Sequence, residues 1–350
     1  MNHFVPEVVA RSSAFRHSRL VIASRLAIAL SLVTIPSITG CSAIKVKLGM
    51  RIALAKTPVL SIAASLPNNP GIAPGEKSPL VVEVTDATGK VLITEGKGKG
   101  KVQWKDLVVT PTVVSVNKKG VLSLPRDPRV SDGKTGHIII TVPSHPGIQT
   151  SLDIPLRYNY PFKANFSGSP GFNGTNGTDG IDGTSGTPGS LDPNNPSPGG
   201  DGGNGSNGSD GSNGGDGGDG PPVQVRATLR PGPQPLLQIG VSTNGGKERY
   251  FLVDPQGGSL TVSSDGGSAG SGGKGGRGGR GGSGGIGTPN GSSGSDGMSG
   301  QDGHDGSAGR GGSITVIYDP QVQPFLATIH TSNSGGPAPV FQQQPVAPLW

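Results

Sequence analysis

Between Thr57 and Phe166 the chain alternates short apolar runs with clusters of turn residues. The runs are Leu80–Val84, Val91–Ile93, Leu107–Val109, Val113–Val116, Val121–Leu124, His137–Val142 and Leu152–Leu156. Asp86–Gly89, Lys118–Gly120, Ser131–Gly133 and Pro143–Gly147 separate some of them. Runs this short, with Val and Ile prominent, predict β-strands, and seven at this spacing predict a β-sandwich over residues 57–166. A second strand-like stretch covers 221–265, with Val223–Arg226, Leu236–Ile239, Arg249–Val253 and Ser259–Val262. Ser313–Tyr318 predicts one more strand, and 313–330 with 221–265 is expected to form one small β collar. Residues 332–350 read as a Gly/Pro/Gln tail.

Four segments interrupt this pattern. Glycine recurs at every third residue over 168–189, 199–220, 267–285 and 291–312 without a miss. The turn-like segments Ser190–Pro198 and Ile286–Asn290 join them in pairs. Of 63 Gly in 350 residues, 43 lie within 168–220 and 266–312, which hold only seven apolar residues. No oily core can form there. A flexible Gly/Ser spacer has no reason to keep phase or to match arm lengths. A period of three fits a polyproline-II-type helix, and an edge without Cβ atoms lets backbones approach and exchange hydrogen bonds.

Three arrangements fit such tracts: a collagen triple helix, plain disorder, and a folded antiparallel bundle of polyglycine-II helices. Collagen keeps proline at many positions, but only Pro170 and Pro188 fall inside the arms. The phased arms and their turns resemble small glycine-rich antifreeze proteins and some phage tail-tip adhesins, and the resemblance implies the bundle. The third arm reads Gly-Gly-x and leaves two of its three edges bare, so it is expected to be the most central. Its third edge carries Lys274, Arg277 and Arg280. Residues 168–220 carry Asp179, Asp182, Asp192, Asp201, Asp210, Asp216 and Asp219 and no base.

The N-terminus adds an address. Arg11, Arg16, Arg19 and Arg25 precede the apolar run Leu26–Pro36, and Ile38-Thr39-Gly40-Cys41 follows. This is the layout of a secretory signal, over residues 1–40, and the run is too short for a stable membrane anchor. The Ile-Thr-Gly-Cys stretch resembles the lipobox of bacterial lipoproteins. The resemblance implies that Cys41 becomes the acylated first residue and that residues 41–56 are a lipid-anchored spacer. Ser42, in enteric-type sorting, implies the outer membrane. Cys41 is the sole cysteine, so no disulfide within the chain is expected. The full chain has net charge +6, and removing 1–40 takes away four bases and one acid, leaving +3. The basic balance of the whole chain is therefore no sign of nucleic-acid binding.

The 57–166 stretch resembles bacterial immunoglobulin-like domains through PGEKSPLVVEVTDATGKVL, TPTVVSVNKKGVLSL and GHIIITV. It has no Cys pair and no core Trp motif; Trp104 stands alone before the C-terminus. The fold class is thus mainly β plus non-regular: an Ig-like sandwich, then residues 167–331 as a four-arm polyglycine-II rod collared by β structure.

Catalytic chemistry is not legible. Gly281–Gly285 matches a nucleophile elbow only in letters, with no strand-turn-helix around it and no histidine nearby. Gly273-Lys274-Gly275 lacks the Ser or Thr of a P-loop. His137, His145, His304 and His330 have no ligand spacing. Asp201, Asp210 and Asp219 recur every nine residues, as in Ca²⁺-binding nonapeptide repeats, but the apolar position of a β-roll is missing. Residues 272–282 resemble an RGG box, which an exported chain has no RNA to use. No enzyme, cofactor, metal or nucleic-acid partner is expected. The expected function is a non-enzymatic, lipid-anchored envelope stalk, adhesin or interaction module, binding a glycan or protein surface ligand. Its contacts would be the far loops, through Asp192, Asn194, Asn195, Ser197, Thr288 and Asn290. The alternatives are a structural envelope or matrix protein with a collagen-like triple helix, and ice or surface-water binding by regular Ser/Thr/Asn edges.

Overall fold

The computed structural model describes Leu48 and residues 50–350. The signal segment, Cys41 and the start of the spacer lie outside the described residues. Strands dominate the regular structure, and the helical segments among the described residues are 3₁₀, four of three residues and one over Pro320–Thr328.

Nine strands form a first unit: β1 (Val59–Ser65), β2 (Lys77–Pro79), β3 (Val81–Asp86), β4 (Val91–Ile93), β5 (Val108–Thr112), β6 (Ser115–Val116), β7 (Val121–Ser123), β8 (Gly136–Thr141) and β9 (Gln149–Ile154). They pair antiparallel in three small sheets ordered β1-β3-β4, β2-β7-β6 and β5-β8-β9. Each of the seven apolar runs yields a strand; β1 and β2 are additional. β1 gives a weak signal because Ile62 is buried while Leu60 is exposed.

The sheets share one core in which Leu54, Ile72, Leu122, Ile138, Ile140 and Ile154 are fully buried. Alternation in β8 sends Ile138 and Ile140 inward and leaves Ile139 exposed. Trp104, unplaced by any sequence motif, packs over Gly120 in this core; Gly120 has φ +71°, and a Cβ there would overlap the indole ring. Burying such a ring accounts for much of a small core's hydrophobic stabilisation. Leu54, in the expected spacer, also belongs to this core, and its amide donates to Asp106 Oδ2 at 2.9 Å.

A second unit holds β10 (Pro161–Asn165), β11 (Val223–Leu229), β12 (Leu237–Thr243), β13 (Arg249–Val253), β14 (Ser259–Ser263), β15 (Ile314–Tyr318), β16 (Ile329–Ser332) and β17 (Val340–Gln343). The expected single collar sheet is two sheets, ordered β13-β12-β11-β15-β17 and β10-β14-β16. Phe162, Ala164, Leu260 and Val262 from the smaller sheet meet Val225, Ile239, Val241 and Val316 from the larger in a common core. β10 thus leaves the 57–166 stretch and joins the second unit. Two amphipathic sheets bury their apolar faces against each other more completely than one sheet could alone.

The 332–350 segment is also ordered. β17 adds to the edge of the larger sheet, and the last residues cross that sheet's outer face. Leu349 N donates to Gln238 Oε1 at 3.0 Å, and Thr228 Oγ1 donates to Val346 O at 3.0 Å. Gln238 is 1% exposed, and this strap supplies the partners its amide requires. Trp350 Nε1 donates to Asp132 Oδ2 at 2.9 Å, and its ring meets Tyr250 edge-on at 5.7 Å. Asp132 also pairs with Arg230 at 3.0 Å, and Arg129 lies 4.0 Å over the Tyr250 ring. The C-terminus therefore ties the second unit to the 127–132 loop of the first. In that loop the Arg129 side chain, foremost, holds the Asp127 carboxyl below its usual range.

Candidate functional site: the glycine arms and their far loops

Each arm leaves or meets a strand. β10 runs into the first arm, the second arm into β11, β14 into the third and the fourth into β15. The arms themselves carry no helix or ladder pattern. Their partners are one another. Every third amide of each arm donates to a neighbouring arm's carbonyl at 2.7–2.9 Å.

The pairing is regular. First-arm glycine amides donate to third-arm carbonyls in parallel, from Gly168→Asp265 to Gly189→Ile286. Second-arm glycines donate to the fourth arm in parallel, from Gly199→Pro289 to Gly220→Arg310. The next second-arm residue donates antiparallel to the first arm, as in Gly215→Phe172 and Ser206→Ile181. Third-arm glycines donate antiparallel to the second arm, and fourth-arm glycines antiparallel to the third, as in Gly276→Ser209 and Gly300→Gly276. The second and third arms therefore each touch three arms, and the outer two touch two. The expected centrality of the third arm is shared with the second in neighbours. The third arm nonetheless has the more buried glycine row, Gly267 to Gly285 in steps of three. A Cβ on Gly276 would overlap the Thr178 carbonyl, and one on Gly275 the Gly300 carbonyl.

Side chains complete the ladders. Asp or Asn occupies every third position from Asp201 to Asp219, and each Oδ1 accepts a fourth-arm amide, from Ser292 to Arg310, at 2.6–2.8 Å. Asn173, Asn176, Asp179 and Asp182 do the same for Ser271, Lys274, Arg277 and Arg280 at 2.7–3.0 Å. Asp296, Asp302 and Asp305 accept from Gly281, Gly275 and Gly272 at 2.7 Å. The nine-residue recurrence of Asp201, Asp210 and Asp219 is thus part of a three-residue Asx ladder. A sequence count of Asx at that period would have found it. No group of three or more His, Cys, Asp or Glu among the described residues could hold a metal ion.

Register passes from strand to arm. β10 pairs with β14 in parallel at an offset of 98 residues, Pro161 to Ser259. The same 98 separates Asp179 from Arg277 in their side-chain bond. β11 pairs with β15 at an offset of 91, Val223 to Ile314, and 91 separates Asp210 from Gln301. Two parallel strand pairs thus set the two parallel arm pairs.

The far loops meet where the ladders end. Thr288 N donates to Ser197 O at 2.9 Å and Gly199 N to Pro289 O at 2.9 Å. Three of the expected contact residues also brace the loops: Ser197 Oγ accepts from Ser190 N, Asp192 Oδ1 from Asn194 N and Asn290 Oδ1 from Gly287 N. Asn194, Asn195 and Thr288 are exposed. Leu191 and Ile286, which the polar reading passed over, are 63% and 64% exposed on the same end. Cys41 lies outside the described residues. His137 pairs with Asp153 across β8 and β9 at 2.6 Å, on an exposed face.

A cleft of about 510 Å³ lies at the other end between the 230–235 loop and the C-terminal strap. It gathers Arg230, Asp319 and several prolines, with no nucleophile–base pair. No family model, no curated protein and no solved structure matches this chain.

Proposed function

We propose that the chain is a lipid-anchored envelope protein in which the four arms form a polyglycine-II rod that carries the far loops away from a β base. The observation that carries the reading is the pairing of the arms end to end, with strands at one end and both loops at the other. An arm of 22 residues at a rise of ~3.1 Å spans roughly 65–70 Å. Parallel and antiparallel neighbours from a single chain favour this bundle over collagen, whose three chains run parallel. The first unit, with its small antiparallel sheets around one core, supports the Ig-like sandwich reading. Acylation of Cys41 follows from the lipobox resemblance and sets the membrane as the first partner, with the outer membrane as the location. The rod is non-enzymatic; the loops are the contact surface for a glycan or protein ligand.

The test replaces 191–196 and 288–290 by Gly/Ser segments of equal length in the full chain. Loss of binding to cells or glycan arrays with amide protection of the arms intact supports the reading. Unchanged binding opposes it. Radiolabelled palmitate incorporation, lost in Cys41→Ala, tests the anchor.

One observation favours a second reading. The groove between the first two arms is uncharged and rich in hydroxyls. Thr175 and Thr178 Oγ1 lie 3.1 Å from Ser212 and Ser209 Oγ, with Thr184 and Thr187 continuing the row beside Gly203 and Gly200. Exposed Phe172 and Ile181 interrupt this row, and the hydroxyls on either side of Ile181 suit ice or surface water. That reading predicts thermal hysteresis, abolished by Thr178→Lys; its absence in the native chain dismisses it.

A further inference from the structure

The groove between the first and third arms has the most complementary charge pattern of the arm pairs. It carries cations on one row and carboxylates on the other. Lys274, Arg277 and Arg280 are exposed on the third arm, about 9 Å apart along it. Among the described residues their side chains make no ion pair or hydrogen bond. Opposite them on the first arm, Asp179 and Asp182 are exposed but fixed, because each Oδ1 accepts the backbone amide of Arg277 or Arg280. Those bonds place Asp179 level with Arg277, Asp182 level with Arg280, and Asn176 level with Lys274.

We infer that a second copy of this chain docks on this groove, side by side and parallel, to give a two-fold dimer of rods. The inference rests on the rod reading above. A two-fold axis running along the groove preserves height and exchanges the rows, so the first arm of one copy faces the third arm of the other. Asp179 then meets Arg277 of the second copy, and Asp182 meets Arg280 of the second copy, twice over by symmetry. This is the self-complementarity that a closed isologous interface requires. A linear polyanion would instead meet Asp179 and Asp182 in the same groove. The facing pair of second and fourth arms offers one such match, Asp219 with Arg310, and otherwise sets carboxylates against neutral residues.

The register of the groove also continues into the β base. β10 and β14 prolong the two arms at the same 98-residue offset, and the same symmetry sets exposed Lys163 against Thr261, with no like charges opposed. A strip ~65 Å long and two side-chain rows wide buries on the order of 1,200 Å² in total, at the lower end of specific interfaces. Exposed ion pairs are individually weak, so the dimer is salt-sensitive and of modest affinity. Parallel rods keep both bases at one end, as two chains anchored in one membrane require, and bring two pairs of far loops together.

Sedimentation of the full chain with Cys41→Ser tests this. The expected result is a dimer at about 50 μM in low salt, falling at least about tenfold in association constant by ~0.5 M salt. Asp179→Lys with Asp182→Lys makes the groove wholly basic, and Arg277→Glu with Arg280→Glu leaves Lys274 as its one base among four carboxylates. Each variant alone is expected to be monomeric, an equimolar mixture to form a heterodimer, and the four-residue exchange in one chain to restore the homodimer. Spin labels at Asn195→Cys are expected within ~30 Å of each other, against more than ~60 Å for antiparallel rods. A monomeric native chain, a species larger than a dimer, or distant labels overturns the dimer. Amide exchange in the arms is read in parallel. Monomers with protected arms overturn the dimer alone, whereas unprotected arms overturn the rod reading on which it rests.

Discussion

The first β unit and the glycine arms solve the same problem with opposite materials. In the first unit, Leu54, Ile72, Leu122, Ile138, Ile140 and Ile154 exclude water with side chains, and backbone bonds between strands follow. In the arms, the buried row is glycine, and cohesion comes from main-chain bonds with Asx side chains as added acceptors. A core of side chains tolerates mismatch by repacking, whereas a core of backbone has nothing to repack. The first unit should therefore suffer when atoms are removed, and the arms when atoms are added.

The largest contrast is expected from Gly273→Ala, Gly276→Ala and Gly279→Ala together. Each new methyl would overlap a first-arm carbonyl, of Thr175, Thr178 or Ile181. A single one should cost about 3 kcal/mol or more, since inter-arm bonds must break as the arms separate. The triple change should abolish amide protection in the arms while the first unit still melts cooperatively. The reverse experiment is Ile140→Ala. It should cost about 2–5 kcal/mol in denaturant unfolding of the first unit and leave the arms protected. Equal damage to both regions from either change would erase the distinction.

Smaller effects sharpen it. Trp350→Ala removes the Asp132 bond and the Tyr250 contact and should cost about 1–2 kcal/mol at the junction of the two units. It would appear as faster proteolysis near residues 127–132 and 344–350. Asp210→Ala removes one rung and should cost about 1 kcal/mol, whereas Asp210→Asn, which keeps an Oδ1 acceptor, should be nearly neutral. If both variants behave alike, the carboxylate there serves only solvation.

Much of this was legible in the sequence, for physical reasons that vary by region. The seven runs from Leu80 to Leu156 announced strands because one face of each is buried. β1 and β2 did not, because Leu60 faces solvent and β2 contains only Lys77, Ser78 and Pro79. The arms announced themselves through phase, since a Cβ on the shared edge would meet backbone. Their partners were not legible: which arm pairs with which follows from β10–β14 and β11–β15, and those are long-range pairings. The Asx ladder was present as a period of three but hidden by the nine-residue spacing of its aspartates. The C-terminal strap was unreadable because its bonds go to Gln238 and Asp132, more than 100 residues away. In the far loops, polarity pointed to Ser197, Asp192 and Asn290, which also brace the turns, and passed over the exposed Leu191 and Ile286.

The central claim is that the arms are an ordered core of backbone, and amide hydrogen exchange of the full chain tests it most directly. In the third arm every amide from Gly270 to Gly282 donates to another arm, through carbonyls, Asx side chains or Ser299. In the first arm the glycine amides and those of Thr175, Thr178 and Ile181 donate to neighbouring arms. The account predicts thirteen consecutive protected amides over 270–282 and broken, glycine-phased protection over 168–189. Uniformly fast exchange through both segments would contradict it.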